Sequence, residues 1–385
     1  MKIDPPAFLA DPAVVRVLDA LPDARIVGGA VRDALAGRPV ADIDLATPLL
    51  PANVAAALTR AGIRSVPTGL DHGTLTAVVN GRGFEITTLR RDVATDGRRA
   101  TVAFTSDWRD DAARRDFTIN AMSMTREGTV FDYFGGAADL HAGVLRFVGD
   151  PATRIAEDTL RILRFFRFFA RYGTGAPDPA ALGAIRGGVA GLAALSVERV
   201  WHELSGLLAV PNPGAAVTLM SDLDVLAAVL PEGASHEGLP RLLEAGAPAD
   251  PVLRLAALLT GDAAAVAIRL KLSAADRDRL VALRHPLTVT SNDDDAALRR
   301  ALADEAPAVL AGRAWLAGQP ALAARLAGMP RPMFPLEGRH VVALGIGPGP
   351  RVGALLRDLR AWWMEHGCDD GKQACLAELR RRSGP

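Results

Sequence analysis

A glycine turn followed by two closely spaced aspartates constrains this chain more than any other feature. Residues Gly28–Asp33 read Gly-Gly-Ala-Val-Arg-Asp, and Asp42-Ile43-Asp44 follows shortly after. Signals for a strand, a glycine turn, a helix and an acidic strand occur in that order between residues 25 and 46. This is the scale of one compact supersecondary unit, so the segment predicts a small α/β element with polar groups gathered at one end.

The residue types in this unit favour phosphate chemistry. Side chains at i and i+2 of a strand point to the same face, so Asp42 and Asp44 can converge on one point. Two carboxylates suit Mg²⁺, which prefers oxygen ligands and completes its shell with water and substrate phosphates. A Gly-Gly turn at a helix start lets backbone N–H groups approach an anion. No Gly-Lys-Ser/Thr follows the glycines, which excludes a Walker P-loop. The pattern indicates phosphoryl or nucleotidyl transfer.

Composition limits the remaining possibilities. The 385 residues are enough for two to four domains, and the formal net charge is zero, so any nucleic-acid surface must be local. Two cysteines, Cys368 and Cys375, make neither a metal cluster nor a disulfide framework. We find no signal peptide and no apolar run of bilayer length, and expect a cytoplasmic protein with no membrane contact and no obligate protein partner.

The pattern along the chain predicts a small α/β head and a long helical remainder. We expect strands at 25–29 and 43–46, helices at 30–36 and 53–61, and a hairpin of strands 74–79 and 84–89 joined by Asn80-Gly81-Arg82-Gly83. The charged stretch 90–113 has little periodicity, which predicts a mobile loop. From about residue 150 the pattern is helical almost to the end.

Residues Arg114–Met122 open with two arginines and continue with the periodicity of an amphipathic helix. In isolation we would expect Asp116 to cap that helix, the arginines to be solvated, and Phe117, Ile119 and Met122 to be core. Beside a triphosphate site, the alternative is that the arginines clamp phosphate oxygens.

A third region, residues 154–171, predicts one helix with two faces. An apolar stripe of Ile155, Ile162, Phe166 and Phe169 is backed by an arc that carries one aspartate and several arginines, namely Arg154, Asp158, Arg161, Arg164, Arg167 and Arg171. A solvated charged face with local ion pairs would explain the stripe. It explains less well why arginines recur at three-residue spacing around a single aspartate.

Base chemistry offers a functional interpretation of Asp158 and Arg161. Cytosine and adenine present an amino donor beside an acceptor ring nitrogen, whereas uracil and guanine present the reverse order. A carboxylate only accepts and a guanidinium only donates, so this pair matches C and A and rejects U and G. Unpaired buried polar groups give a discrimination of about 10⁴-fold.

At these segments the chain resembles the class II tRNA nucleotidyltransferase family of CCA-adding enzymes and bacterial poly(A) polymerases. The matching stretches are Gly28–Asp44, Arg114–Met122, Asp132–Gly136, Gly149–Arg171 and, near the end, Leu344–Gly353. The resemblance implies an α+β head similar to DNA polymerase beta, with a mixed sheet and flanking helices, followed by all-α neck, body and tail domains. We place the catalytic head at 1–145, the nucleobase-recognising neck at 146–205, the body at 206–290 and the tRNA-binding tail at 291–385.

The resemblance also implies roles for individual residues. Asp42 and Asp44 would be catalytic and would hold Mg²⁺, and Glu85 is either a third acidic group near them or a cross-strand structural residue. Eight residues would bind the incoming nucleotide: Gly28, Gly29, Arg32, Arg115, Asp158, Arg161, Arg164 and Arg167. The Gly347–Gly353 turn would meet the tRNA acceptor end or serve as an ordinary turn between helices.

The implied activity is template-independent addition of C, C and A to the tRNA 3′ end from CTP and ATP, with protein side chains as the template. In this interpretation the 90–113 loop helps the pocket change from CTP to ATP. The alternatives are a poly(A) polymerase and an enzyme that adds only CC or only A. A rival of another class is an inactive RNA-binding scaffold on the same fold, which the retention of both Asp42 and Asp44 disfavours.

Overall fold

The computed structural model of the chain describes residues 1–96 and 99–383. The chain forms two compact units, Met1–Val229 and Leu230–Pro385. Across the described residues, no helix combines the length and the apolar character needed to cross a bilayer.

The first unit is built on a mixed β-sheet. Its strands in chain order are β1 (Arg25–Val27), β2 (Leu45–Thr47), β3 (Arg64–Gly69), β4 (Thr74–Val79), β5 (Arg82–Thr88), β6 (Arg90–Asp96), β7 (Arg99–Phe104), β8 (Ser123–Met124) and β9 (Val130–Phe131). Seven of them form one sheet in the order β3-β4-β5-β2-β1-β8-β9, in which β2 and β5 run parallel and the other neighbours antiparallel. The predicted α+β head is confirmed.

Local turn chemistry places the β4–β5 hairpin where the sequence predicts it. Asn80 and Gly81 both have positive φ, 52° and 78°, the conformation that a two-residue hairpin turn requires. The register pairs Val79 with Arg82, the two residues that flank the turn. This hairpin brings Glu85 to the part of the sheet next to β2.

Short helices cover the sheet. They are α1 (Pro12–Ala20), α2 (Gly29–Leu35), α3 (Pro51–Arg60), α4 (Trp108–Ala113) and α5 (Gly136–Ala142). Apolar residues of α1, α2 and α3, such as Val14, Val31 and Leu58, pack with residues of β1, β2, β4, β5, β8 and β9 in a single buried cluster. The predicted helices at 30–36 and 53–61 correspond to α2 and α3.

The prediction of a loop over residues 90–113 is wrong. Strands β6 and β7 pair antiparallel in a separate two-stranded ribbon, and α4 follows. The two strands and the six-residue helix are each too short for a periodic pattern of apolar residues to be recognised in the sequence. Residues 97 and 98, within this stretch, lie outside the described residues.

The predicted amphipathic helix at 114–122 is also wrong. The segment makes one 3₁₀ turn, Thr118–Asn120, and then enters β8, which pairs with β1. Phe117, Ile119 and Met122 are nevertheless buried, as predicted. Here, tertiary pairing with the sheet overrides helical periodicity. The Asp116 carboxylate accepts from the Phe117 N–H and from the Asn120 side chain instead of capping a helix.

Helices continue through the rest of the first unit. They are α6 (Pro151–Glu157), α7 (Leu160–Tyr172), α8 (Pro179–Gly188), α9 (Val197–Leu208), α10 (Gly214–Asp222) and α11 (Val225–Val229). The predicted single helix over 154–171 is broken at Asp158, whose backbone is extended and whose Oδ1 accepts from the Leu160 N–H. Such a local side-chain bond competes with the helical pattern. The predicted apolar stripe is buried on both sides of the break.

The named elements in the described part of the second unit are helices, as the sequence predicts. Its helices are α12 (Gly238–Glu244), α13 (Pro251–Leu258), α14 (Ala263–Arg269), α15 (Ala274–Leu283), α16 (Asp295–Asp304), α17 (Pro307–Leu316), α18 (Pro320–Gly328), α19 (Gly338–Val342), α20 (Pro350–Glu365) and α21 (Lys372–Ser383). One apolar cluster is centred on α16 to α18 and another on α20 and α21, where Trp363 is 2% exposed.

Candidate active site

Asp42 and Asp44 lie in the extended segment that leads into β2. Both are exposed, while Ile43 between them is buried, so the two carboxylates share one side of the chain. The Asp44 carbonyl accepts from the Val27 N–H at 3.0 Å, which fixes the segment against β1. The predicted strand starts two residues late, at Leu45, but the alternation on which the prediction rests is present.

A third carboxylate faces the same space. Asp42, Asp44 and Glu85 line a cavity of about 600 Å³. Although Asp44 is exposed at the cavity, the protein around it displaces water from its carboxyl, and this desolvation, followed by repulsion from Glu85 and Asp42, raises the pKa of that carboxyl. The Arg115 charge opposes this only in part. Excess negative charge of this kind is what a divalent cation neutralises.

Among residues 1–96 and 99–383, no three acidic, histidine or cysteine side chains come close enough to hold a metal ion by themselves. A cation at Asp42 and Asp44 would therefore need oxygens from outside the protein. This fits Mg²⁺, which retains water and takes phosphate oxygens from its substrate.

The glycine turn is shaped by the arginine beside it. Gly28 has φ of +64° and ψ of −119°, a conformation that L side chains rarely adopt. A Cβ at this position would lie 2.9 Å from Nη1 of Arg115. That guanidinium group donates to the Asn120 carbonyl at 3.3 Å. Gly28 is therefore required for both its backbone conformation and the close approach of Arg115.

Arg32, on the first turns of α2, is buried and held rigidly. Its Nη1 donates to Asn120 Oδ1 at 2.6 Å, and its Nε and Nη2 donate to the Asp33 carboxylate at 3.1 and 3.2 Å. Its guanidinium carbon also lies 4.5 Å from the centroid of the Tyr172 ring. Three of the five N–H groups of the guanidinium are engaged, and two can still donate.

One cavity of about 660 Å³ gathers most of the predicted nucleotide-binding residues. Seven of the eight line it: Gly28, Gly29, Arg32, Arg115, Asp158, Arg161 and Arg164. Asp44 also lines this cavity, so the arginine-rich cavity and the acidic cavity share this residue in their walls. The other polar residues in its wall are Arg90, Arg114, Asp116, Asn120 and Arg199.

Asp158 and Arg161 both reach this cavity, but each is bound by a different partner. Asp158 Oδ2 accepts from Arg199 Nη2 at 2.7 Å. Arg161 Nη1 donates to Glu157 Oε2 at 2.5 Å and to the Arg154 carbonyl at 2.8 Å. The two groups predicted to read a base are therefore oriented independently of each other.

Arg164 and Arg167 differ in position although they are three residues apart on α7. Arg164 Nη2 lies 2.6 Å from Asp116 Oδ2 at the cavity wall. Arg167 does not line the cavity, and its Nε lies 2.6 Å from Oε2 of Glu203, which is 2% exposed. The structure thus brings Arg164, but not Arg167, to the other predicted nucleotide-binding residues.

Sequence reasoning missed Arg199 and Glu203, both on α9. Arg199 sits 41 positions from Asp158, so no local spacing links the two. Glu203 did leave a signal, because it occupies the helical stripe of buried Val200, Leu204 and Leu207, where an apolar residue is expected. A charged residue in an apolar stripe predicts a buried ionic partner.

Two family models match the chain. "Poly A polymerase head domain" covers residues 24–146, and "Probable RNA and SrmB- binding site of polymerase A" covers residues 176–236. The chain is 37% identical over 374 residues to "CCA tRNA nucleotidyltransferase 1, mitochondrial" of Homo sapiens, across 93% of this chain and 86% of that protein. It is 38% identical over 244 residues to a CCA-adding enzyme of Lactiplantibacillus plantarum, across 63% of this chain and 58% of that protein.

A solved structure gives the same likeness over the whole fold. The Bacillus stearothermophilus CCA-adding enzyme, crystallised in complex with CTP, superposes with a TM-score of 0.73 at 25% identity. The match covers 97% of this chain and 98% of that one.

Proposed function

The chain belongs to the tRNA nucleotidyltransferase family that includes the CCA-adding enzymes, and from this premise we propose how its residues carry out the reaction. The protein adds C, C and A to the 3′ end of tRNA from CTP and ATP without a nucleic-acid template, and releases pyrophosphate. The observation that carries the residue assignment is the position of Asp44, which lines both the acidic cavity and the arginine-rich cavity. A nucleoside triphosphate in the second cavity would present its phosphates to the carboxylates of the first.

Asp42 and Asp44 are the proposed Mg²⁺ ligands. Their chemistry fits, because both offer carboxylate oxygens on one side of the chain and Glu85 adds further negative charge to the same cavity. Bound Mg²⁺ would lower the pKa of the tRNA 3′-hydroxyl and stabilise the pyrophosphate leaving group.

The triphosphate is proposed to lie against the glycine turn. Arg115 and Arg32 border this turn. Each guanidinium group is held in place by protein partners and still has N–H groups that can donate. Held in advance, these donors meet the phosphate oxygens without a large loss of side-chain entropy. Gly28 keeps the space open, since any side chain there would push Arg115 away.

Asp158 and Arg161 are proposed to select the base. The Asp158 carboxylate uses two acceptor positions, for Arg199 and the Leu160 N–H, and retains others for the amino group of C or A. Arg161 retains its Nε–H and one Nη2–H for the ring nitrogen, since its other contacts are made by Nη1 and one Nη2–H. Their separate anchors hold the pair in place when either base is bound.

Within residues 90–113, we assign the role expected for this stretch to the ribbon of β6 and β7. It is proposed to help the pocket change from CTP to ATP as the primer lengthens, by shifting between conformations. We assign no movement to helix α4, since its Ala112 packs in the buried cluster that also contains Ala121 and Val148.

The domain division stays a proposal: head 1–145, neck 146–205, body 206–290 and tail 291–385, with the tail and the Gly347–Gly353 turn meeting the tRNA acceptor end. The boundary between the two compact units, after Val229, falls inside the proposed body. The cytoplasmic compartment likewise stays a prediction, because a relative named for mitochondria is among those that match.

One incorporation assay separates the candidate functions. Purified protein is offered a tRNA transcript that lacks CCA, with each NTP alone and in pairs, and Mg²⁺. Two C residues followed by one A support the proposal. A tails on any RNA would indicate a poly(A) polymerase, and addition of only CC or only A would indicate a partial enzyme. No incorporation would favour the inactive scaffold.

A further inference from the structure

The β6–β7 ribbon is tied to the cavity at its base. Strand β6 begins at Arg90, which pairs with Phe104 at the end of β7. The Arg90 N–H donates to Oδ1 of Asp111, on α4, at 3.3 Å. The first residue of the ribbon therefore bonds to a side chain outside the ribbon, near the predicted phosphate-binding arginines.

Asp111 is a buried carboxylate with three partners. It is 3% exposed, and its Oδ1 accepts from Arg114 Nε at 3.0 Å and Nη2 at 2.8 Å. Its Oδ2 accepts from Arg115 Nη2 at 3.2 Å. The same carboxylate thus holds the ribbon backbone and two arginines that line the cavity. Burial alone would raise the pKa of Asp111, but the charges of Arg115 and Arg114 outweigh it and lower this pKa.

Arg114 extends this connection to the base-reading side. Its Nε also donates to the Arg90 carbonyl at 3.2 Å, so it contacts both the ribbon and Asp111. Its own carbonyl accepts from Arg161 Nη2 at 3.4 Å. A displacement of Arg90 would therefore reach Arg115 through Asp111 and Arg161 through Arg114.

We propose that Asp111 is a positioning residue that couples the ribbon to Arg115 and, through Arg114, to Arg161. This inference rests on the proposed function, in which the ribbon helps the pocket accept ATP after CTP. A carboxylate suits this task because it can accept from several donors at once, and its burial removes competition from water. Without the coupling, the ribbon could move while the arginines stayed in the arrangement that accepts CTP.

The test compares C addition with A addition in Asp111→Asn. Single-turnover rates are measured on a tRNA lacking CCA with CTP, and on a tRNA ending in CC with ATP. Both reactions lose charge-assisted bonds from Asp111 to Arg114 and Arg115, but only A addition also needs the ribbon's movement to reach these arginines. We therefore expect A addition to fall about tenfold more than C addition. Asp110→Asn is the matched control, because that neighbouring carboxylate bonds to Thr105 and to neither arginine. It should leave both rates near wild type.

A mutant cycle with the ribbon distinguishes coupling from simple loss of packing. In a second variant, residues 92–102 are replaced by Gly-Gly. If the ribbon acts through Asp111, combining this replacement with Asp111→Asn will cause no further loss of A addition. If thermal melting shows that Asp111→Asn does not fold, Arg114→Lys takes its place. Lysine lacks the planar guanidinium that bonds both Asp111 and the Arg90 carbonyl.

Equal losses of C and A addition in Asp111→Asn, or additive losses in the cycle, would overturn the inference while leaving the proposed function intact. A wild-type protein that adds neither C nor A would instead overturn the proposed function, and the inference with it.

Discussion

Replacing Arg167 by methionine is expected to destabilise the protein while leaving nucleotide binding nearly unchanged. Arg167 lies 2.6 Å from Glu203, which is 2% exposed, and does not line the arginine-rich cavity. Removing it leaves a buried carboxylate whose nearest remaining cation is Arg164, at 3.6 Å.

The size of the effect follows from these contacts. Breaking a buried ion pair by removing one partner costs about 3–5 kcal/mol. The Arg167 side chain is 27% exposed and Arg164 remains nearby, which reduces the expected loss of unfolding free energy to about 2 kcal/mol. For a unit the size of the first, this corresponds to a fall in Tm of about 4–8 °C.

Thermal unfolding gives the Tm, and initial rates on a tRNA lacking CCA give the KM for CTP. Arg164→Met is the comparison, because Arg164 lies on the same helix but at the cavity wall. In the proposed site Arg164 binds the nucleotide, so loss of this charge-assisted contact should raise the KM for CTP about tenfold or more. A tenfold rise in KM for Arg167→Met, with an unchanged Tm, would refute the assignment of Arg167 to structure.

Three further predictions concern the cavity itself. Gly28→Ala should cost about 1–3 kcal/mol of unfolding free energy from backbone strain, and should raise the KM for both nucleotides by displacing Arg115; thermal melting and initial rates check this. Asp158→Ala should allow UTP incorporation. Arg199→Met should allow it to a smaller extent, because Asp158 then loses a hydrogen-bond partner but keeps its charge. Unchanged nucleotide selectivity in both variants would contradict the base-reading role. Replacing residues 92–102 by Gly-Gly should spare C addition and lower A addition at least about tenfold, and equal losses in single-turnover assays would argue against the ribbon's role.

The sequence predicts those parts of the fold that depend on local chemistry. The β4–β5 hairpin follows from Asn80-Gly81, and the buried residues of 117–122 follow from their apolar character. The parts of the fold that the sequence fails to predict depend on pairing between segments that lie far apart in the chain. The stretch after Arg114 becomes a 3₁₀ turn and a strand because β1 is available to pair with it, and nothing within the stretch encodes that partner.

The same division holds for the candidate site. Motif spacing and the family resemblance together point to Asp42, Asp44 and eight nucleotide-binding candidates, seven of which line the arginine-rich cavity. They do not identify the groups that hold them. Arg199 binds Asp158, and Glu203 binds Arg167 outside the cavity. Arg199 and Glu203 both lie on α9, which contains no recognisable motif.

The most direct test of the account compares CTP incorporation by the wild-type protein and by Asp42→Asn and Asp44→Asn on a tRNA lacking CCA. Asp23→Asn serves as the control, since Asp23 is an exposed aspartate outside both cavities. The account predicts that either active-site change abolishes incorporation of C without lowering Tm, while the control adds C at the wild-type rate. Normal incorporation by either Asp42→Asn or Asp44→Asn would contradict it.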